Sequence, residues 1–186
     1  MSEILMIGIP TKDEYMVGRT IGDICATAMI MNRMPTFAYG VGSNICAGRD
    51  FILKLTKEAV GKDACRMLWL DSDIWIKTPP AQLAKYMQEA DENGYNIVAP
   101  YRRTDSKSSI NRVDGRPFEW SELEGIGQYD VVKWAGMGFY YGYTPLNYKF
   151  YMSGEISEDC NFFVDNKIEL RVDKRIVLYH NKRVFI

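Results

Sequence analysis

The sequence lacks any long apolar run. No stretch approaches the ~20 apolar residues that a membrane-spanning helix needs, and no basic segment followed by an apolar one opens the chain, so we expect no signal peptide. Lys and Arg form no cluster, and 23 basic residues against 24 acidic ones give a formal net charge of −1. This balance offers no electrostatic basis for nucleic-acid binding. We therefore expect a protein of the cytoplasm with neither a membrane segment nor a nucleic-acid partner.

Cysteine and histidine are scarce. The four cysteines, Cys25, Cys46, Cys65 and Cys160, form no CxxC pair and give no support for a zinc cluster. We expect buried, reduced thiols, as in a reducing cytoplasm, although a hyperthermophile could join them in a disulfide. His180 is the single histidine. A lone histidine is more often a packed, hydrogen-bonded side chain than a ligand.

What is present is an ordinary globular composition, with 186 residues, 47% apolar and 25% charged. This suits one domain with a single core. In the first hundred residues, apolar runs that predict strands alternate with helical patterns. The predicted strands are Ile4–Ile9, Thr36–Val41, Met67–Ile76 and Asn96–Ala99. The predicted helices carry Val17 to Met31, Ala47 to Ala59 (ended by Gly61), and Leu83 to Ala90 (with Thr78 as N-cap). This alternation predicts an α/β fold whose parallel sheet is covered on both faces.

The second half of the chain is less regular. Residues 102–130 are polar and predict an irregular active-site segment with a hairpin turn at Asp114-Gly115. Strand patterns return at Val131–Tyr143, where Gly136 and Gly138 predict a close approach of backbone to a ligand, and at Arg175–Tyr179. With no repeat and no linker, we expect one domain, residues 1–186. Its first half would be residues 1–100 and its second half residues 101–186.

Asp71 and Asp73 interrupt the apolar stretch MLWLDSDIWI. A buried strand does not carry two carboxylates without compensation, because removing an ionised carboxylate from water costs several kcal/mol. In open parallel sheets, ligands bind outside the carboxyl ends of the strands. Two residues apart in an extended chain, both side chains leave on the same side and can face one hard cation, Mg²⁺ or Mn²⁺. The alternative is that one aspartate caps the next helix and the other is solvated.

A second group of carboxylates, Glu155, Glu158 and Asp159, lies in the stretch GEISED. Crowded carboxylates raise one another's pKa, which can make one of them a useful general base. The alternative is an acidic helix N-terminus, where the helix dipole favours negative charge.

The order of these motifs resembles that of glycosyltransferases with the GT-A fold, and the chain's short length resembles the compact members from crenarchaeal viruses. MLWLDSDIWI is similar to the family's DxD motif, SNICAGRD to the segment whose arginine, here Arg49, reaches the donor, and EDCNFF to its ED motif. Pro10-Thr11 resembles the nucleotide-binding edge, and His180 ends the last strand as a histidine does in many members. The sequence departs from the family in having no QxxRW-like motif and no evident acidic residue at Ser43-Asn44 to bind uracil.

The resemblance implies a single GT-A domain, Rossmann-like, with a mostly parallel central sheet flanked by helices and an irregular acceptor-side segment. Residues 1–100 would bind the nucleotide-sugar and residues 101–186 the acceptor. Its implied donor-binding residues are Pro10, Thr11, Lys12, Arg49, Asp71, Ser72 and Asp73. Asp71, Asp73 and His180 would hold Mn²⁺ or Mg²⁺, and Asp159 would be the catalytic base.

The implied activity is that of a metal-dependent hexosyltransferase. It would move a sugar from a nucleotide-diphosphate sugar to a hydroxyl of a glycan, protein or lipid acceptor, and a dedicated base suits inversion. A viral origin would place it in the host cytoplasm. Three alternatives stay open: a nucleotidyltransferase on a similar sheet, another enzyme of phosphate chemistry, and a non-catalytic sugar- or nucleotide-binding protein. A haloacid-dehalogenase-type phosphatase also uses DxD after a strand, but it requires a small or hydroxylated residue soon after, whereas Ile74 and Trp75 follow here.

Overall fold

A mixed β-sheet runs through the middle of the protein. The structure is a computed structural model that describes residues 3–11, 18–42, 44–103, 106–112, 114, 116–154 and 156–180. In chain order its elements are β1 (Glu3–Thr11), α1 (Gly18–Ile30), β2 (Arg33–Val41), α2 (Ile45–Val60), β3 (Ala64–Leu70), β4 (Ile74–Ile76), α3 (Pro80–Glu92), β5 (Asn96–Val98), β6 (Lys107–Asn111), β7 (Pro117–Glu119), a 3₁₀ helix (Trp120–Gly125), β8 (Val131–Val132), β9 (Trp134–Ala135), β10 (Phe139–Pro145), α4 (Glu158–Asp165), β11 (Leu170–Val172) and β12 (Leu178–His180).

Seven of the described strands form the central sheet, in the order β2-β1-β3-β10-β5-β11-β8. β1 pairs in parallel with β2 and β3, and β11 pairs in parallel with β5. β10 lies antiparallel between β3 and β5, and β8 is antiparallel to β11. The sheet therefore draws strands from both halves of the chain. The predicted fold class, a Rossmann-like α/β domain with a mostly parallel sheet flanked by helices, is confirmed.

Both faces of the sheet are covered, which explains why β1 is an apolar run from Ile4 to Ile9. Leu5, Ile7 and Ile9 point to one core, where α1 and α3 contribute Ile24 and Leu83. Met6, one register position away, points to a second core on the opposite face. That core contains residues of α2, β3 and α4, among them Ile52, Trp69 and Phe162. A strand that is buried on both sides reads as a continuous apolar run rather than as an alternating one.

The predicted single strand Met67–Ile76 is wrong. β3 ends at Leu70, and Asp71 to Asp73 form a turn in which the Ile74 N–H donates to the Asp71 carbonyl (3.0 Å). β4 then leaves the central sheet and pairs with β12. Aspartate and serine favour turns over strands because their side chains compete for backbone hydrogen bonds. The apolar flanks concealed this break.

Thr78 is not the N-cap of α3, as predicted; that position belongs to Pro79. The Thr78 hydroxyl instead accepts from the Val177 N–H (2.7 Å) and donates to the Arg175 carbonyl (3.3 Å). These two hydrogen bonds hold the segment that precedes β12 against the start of α3. The predicted last strand, Arg175–Tyr179, correspondingly begins later, at Leu178. The predicted end of α2 is confirmed, since Gly61 adopts a left-handed φ of 63° and its N–H caps the helix.

Residues 102–130 are more regular than the sequence predicted. β6 pairs with β7 and β9 in a small sheet, with Asp114 in the connection between β6 and β7. Ser108 and Ser109 are fully buried in β6. The Ser109 hydroxyl accepts from the Tyr101 N–H (3.1 Å), so its burial leaves no unsatisfied polar group. Because buried serines with hydrogen-bonded hydroxyls are polar in sequence, they led to the prediction of a polar loop where the structure has a buried strand.

The remaining sequence expectations concern thiols and membranes. All four cysteines are free and half-buried. Across the described ranges, no helix combines the length and the apolar character that crossing a bilayer requires.

The contact between β2 and α2 depends on two glycines. A Cβ on Gly40 would lie 2.1 Å from the backbone oxygen of Gly48, whereas a Cβ on Gly48 would lie 3.1 Å from the oxygen of Gly40. Gly40→Ala should therefore lower the free energy of unfolding by about 1–3 kcal/mol or more, because backbone has to move. Gly48→Ala should cost much less, because alanine gains up to about 1 kcal/mol of helix propensity. Urea denaturation measures both, and an equal loss in the two variants would contradict the close approach.

Candidate active site

The candidate active site lies at the carboxyl edge of the parallel strands. β1 ends there in Pro10 and Thr11, β3 is followed by Asp71, and β5 is followed by Pro100 and Tyr101. Such an edge is where open α/β sheets bind ligands. Pro10 is tolerated in β1 because the pairing of β3 stops at Gly8, which leaves no ladder bond for Pro10 to interrupt on that side.

Arg49 is the centre of the site. It lies in α2, its side chain is 1% exposed, and its guanidinium lies 5.7 Å from the Trp69 ring centroid and 5.6 Å from that of Phe150. A buried guanidinium requires paired charges. Three carboxylates supply them: Nη1 lies 2.6 Å from Asp159 Oδ1, and Nη2 lies 3.4 Å from Asp71 Oδ1 and 3.7 Å from Glu158 Oε1.

Helix α4 presents the two acidic side chains of the predicted ED motif. Ser157 is its N-cap, and Glu158 and Asp159 occupy its first turn, where the helix dipole favours them. The second Asp159 oxygen, Oδ2, accepts from the Met137 N–H (3.0 Å). The acidic helix N-terminus that the sequence offered as the alternative is therefore confirmed, and the two carboxylates also converge on Arg49. The role of Asp159 as a base stays a prediction.

Burial shapes the acid–base properties of this cluster. It raises the pKa of Asp71 to about 7, with repulsion from Asp159, Asp73 and Glu158 adding to the effect and Arg49 opposing it. Burial likewise raises the pKa of Glu158, with Asp159 adding to it and Arg49 opposing it. The Asp71 side chain nevertheless keeps 25% of its surface exposed, so solutes can reach it. Among the described residues, Arg49 is the cation that pairs with Asp71, and its effect on the Asp71 pKa is smaller than that of burial.

Asp73 faces a different partner from Asp71. Its Oδ2 lies 3.1 Å from His180 Nε2, and His180 Nδ1 lies 3.1 Å from the Arg102 carbonyl oxygen. Because a carbonyl can only accept, Nδ1 carries a proton. The hydrogen bond to Asp73 raises the pKa of His180. The expectation that both aspartates leave an extended strand on one side is wrong, since the turn directs Asp71 to Arg49 and Asp73 to His180.

The pair of Asp73 and His180 fits a divalent cation. With Nδ1 protonated, a neutral imidazole turns its Nε2 lone pair toward a carboxylate, and two such acceptors need a proton or a cation between them. Two ligands of one octahedral ion at ~2.1 Å lie about 3 Å apart, close to the 3.1 Å between these atoms. In the part of the chain that the structure describes, no three His, Cys, Asp or Glu side chains already converge on one point.

Tyr101 is a site residue that sequence reasoning missed. Its ring lies over Gly136 and Gly138, whose added Cβ atoms would lie 2.5 and 2.4 Å from it, and its centroid is 5.2 Å from that of His180. The predicted role of these glycines is wrong, because they accommodate Tyr101 rather than a ligand. The sequence signal that could have indicated the position of Tyr101 is the spacing of the two glycines, which lie two residues apart in the chain.

The structure locates most of the other predicted donor-binding residues. Pro10, Thr11 and Ser72 lie at the carboxyl edge, Ser72 in the turn between the two aspartates. Lys12 lies outside the described residues. Arg49 contacts carboxylates, so its role on a donor phosphate stays a prediction.

Replacing Arg49 with methionine keeps the side chain's bulk but leaves buried carboxylates without their cation. Arg49→Met should lower the free energy of unfolding by about 3–5 kcal/mol, as removal of one partner of a buried ion pair does. Adding Asp159→Asn to this variant should restore part of the loss. Arg116→Met, which removes an exposed ion pair with Asp114, should leave the urea midpoint unchanged. Additive losses in the double variant would contradict the coupling.

Comparison with known proteins gives a fold and no family. No protein-family model matches the sequence, and neither does any curated protein. One similar solved structure is a glycosyltransferase involved in glycosylation of the major capsid of PBCV-1, at 15% identity and a TM-score of 0.38, covering 65% of this chain; this chain spans 62% of that one. Another is UDP-glucose pyrophosphorylase complexed with UDP-glucose, at 11% identity and a TM-score of 0.50, covering 95% of this chain and 92% of that one. The second likeness concerns the fold alone and agrees with the Rossmann-like sheet.

Proposed function

We propose that the protein is a metal-dependent glycosyltransferase that moves a sugar from a nucleotide-diphosphate sugar to an acceptor hydroxyl, with inversion. The observation that carries the proposal is the excess of carboxylates at the ligand-binding edge of the sheet. Among the described residues, Asp71, Glu158 and Asp159 form ion pairs with Arg49, and Asp73 pairs with His180, so four carboxylates share two cationic side chains. Such an edge suits a ligand that arrives with a divalent cation, as a nucleotide diphosphate does.

Asp71, Asp73 and His180 would hold the cation. Carboxylate oxygens and an imidazole nitrogen suit Mn²⁺, and Mg²⁺ would bind chiefly through the oxygens. The bound ion would neutralise the charge that develops on the leaving diphosphate. Pro10 and Thr11 would border the nucleotide, and Ser72 would offer a hydroxyl between the two aspartates. These assignments rest on position at one sheet edge.

Asp159 would accept the proton of the acceptor hydroxyl. A carboxylate oxygen has two lone pairs, so the Met137 N–H occupies one on Oδ2 and leaves another for the acceptor. The Arg49 guanidinium lies 2.6 Å from Oδ1 and holds the side chain in place on that side. The hydroxyl oxygen would then attack the anomeric carbon while the bond from that carbon to the diphosphate breaks.

A nucleotidyltransferase is the second candidate, favoured by the fold-level likeness to a pyrophosphorylase over 95% of this chain. The two reactions release different products. A glycosyltransferase releases nucleoside diphosphate from a nucleotide-sugar, whereas a nucleotidyltransferase releases pyrophosphate from a nucleoside triphosphate and a sugar phosphate. A thermal-shift panel of UDP-, GDP- and dTDP-sugars with and without Mn²⁺ selects the donor, and product analysis then decides. Pyrophosphate release without nucleoside diphosphate release would overturn the first proposal.

Asp73→Asn tests the cation site. An amide is a weaker ligand than a carboxylate and carries no charge, so Mn²⁺-dependent binding of a nucleoside diphosphate should weaken at least tenfold. Because Asp73 is half exposed, stability should barely change. Asp114→Asn, at an exposed aspartate away from the site, is the matched control. Calorimetric titration measures the binding, and an unchanged affinity in Asp73→Asn would remove Asp73 from the site.

Asp159→Asn tests the base. The amide oxygen can still accept from the Met137 N–H, but the side chain cannot take a proton at neutral pH, so the rate of transfer should fall by about 10²–10⁴-fold. Affinity for Mn²⁺ and nucleoside diphosphate should change little. Stability should also fall, because Arg49 loses its shortest ion pair.

Glu158→Gln is the decisive comparison, because burial raises the pKa of Glu158 and could make it the better base. It contacts Arg49 only at 3.7 Å, so we expect a smaller loss of both transfer and stability than in Asp159→Asn. Transfer that survives in Asp159→Asn but fails in Glu158→Gln would show that the proton goes to Glu158.

A further inference from the structure

A cavity of about 300 Å³ lies between the 3₁₀ helix and the segment that leads into β12. Its volume is at the lower end of the range that small-molecule sites occupy, roughly 300–1,000 Å³. Space for about ten non-hydrogen atoms is available if each takes ~30 Å³, the share of one water molecule in the liquid. Neither the proposed cation site nor the proposed base uses this cavity.

The walls of the cavity are mainly apolar. Six apolar residues line it, Pro100, Trp120, Leu123, Ile176, Val177 and Leu178, together with the exposed polar residues Ser121 and Glu124. Lys174 also lines it, but its ammonium group donates to the carbonyl oxygens of Leu123 (3.2 Å), Glu124 (3.4 Å) and Ile126. Since an ammonium group has three N–H donors, these carbonyls occupy all of them. A ligand here would be recognised chiefly by apolar contact.

The cavity adjoins the proposed cation site by two routes. Leu178 and His180 lie two residues apart in β12, on the same face of the strand and roughly 7 Å from each other along it; Tyr179 between them points to solvent. Arg102 provides the second route. Its guanidinium lies 5.0 Å from the Trp120 ring centroid, and its carbonyl oxygen is the partner of His180 Nδ1.

We propose that this cavity receives the apolar part of the acceptor, so that the acceptor is an alcohol whose hydroxyl is carried by, or lies close to, an alkyl or aryl group. This inference rests on the proposed glycosyltransferase function and names its acceptor class. A group of about ten carbon atoms fills the volume, and a hydroxyl at its polar end reaches the side of the site where His180 lies. A fully polar glycan would gain no apolar contact from the walls that Trp120, Val177 and Leu178 provide.

Two probes that share one sugar and differ in their apolar group test the proposal. n-Octyl β-D-glucopyranoside, used below its micelle concentration, should bind about 10- to 100-fold more tightly than methyl β-D-glucopyranoside, because full burial of two or three of its methylenes, at roughly fourfold each, gives this factor. Calorimetric titration measures both affinities. A separate titration with UDP, GDP and dTDP, each with Mn²⁺, reports on the donor site in the same preparation.

Val177→Asp places a charge in the cavity wall without removing core volume. The Val177 side chain is 54% exposed, and its backbone N–H and carbonyl, not its side chain, make the bonds to Thr78 and Lys77. The variant should weaken octyl glucoside binding at least tenfold and leave methyl glucoside and nucleotide binding unchanged. Val164→Asp, at a similarly exposed valine (51%) outside the cavity, is the matched control and should change none of them. Ser121→Trp, which fills the cavity from an exposed position, should act as Val177→Asp does.

Equal affinity for the two glucosides, or octyl glucoside binding that survives both Val177→Asp and Ser121→Trp, overturns the proposal. If nucleotide binding persists in that case, the glycosyltransferase function still stands. If no nucleoside diphosphate binds while octyl glucoside binds in the cavity, the proposed function fails, and the acceptor role fails with it.

Discussion

The site depends on one buried cation. Arg49 is removed from water, and among the described residues the carboxylates that balance its charge converge on it from the end of β3 and from α4. Those carboxylates are in turn held away from water by the guanidinium. The pairing therefore fixes the mutual position of α2, the end of β3 and the first turn of α4. Because α2, β3 and α4 come from distant parts of the chain, the candidate site forms only when the protein folds.

Glycine makes this pairing geometrically possible. Arg49 follows Gly48 directly, and the absence of side chains at Gly40 and Gly48 lets α2 approach β2 to backbone contact. At the other side of the site, Gly136 and Gly138 give Tyr101 the room that places its ring against His180. Both close approaches lie at the carboxyl edge of the sheet. The glycines thus determine how near the charged groups of the site come to one another.

The sequence was sufficient for the fold class because apolar periodicity reports burial. β1 is apolar on both faces, and the structure buries both faces. The sequence did not reveal the break after Leu70, where two aspartates and a serine end a strand although the residues on both sides remain apolar. Nor did it reveal the role of Thr78, whose hydroxyl bonds to a segment far along the chain. The partners of Arg49 could not be predicted either. Local patterns state that a buried charge needs compensation, but they do not state which distant side chain provides it.

The charge balance of the site constrains what it can bind. Asp71, Asp73, Glu158 and Asp159 outnumber the two cationic side chains with which they pair, Arg49 and His180. A diphosphate adds at least two further negative charges, and at an effective dielectric constant of 20 each like-charge pair at 4 Å costs about 4 kcal/mol. A nucleotide diphosphate without a cation would therefore be repelled from this edge. Under the proposed function, donor binding requires the cation, because Asp71 and Asp73, two of the carboxylates that repel the donor alone, are the proposed ligands of the ion.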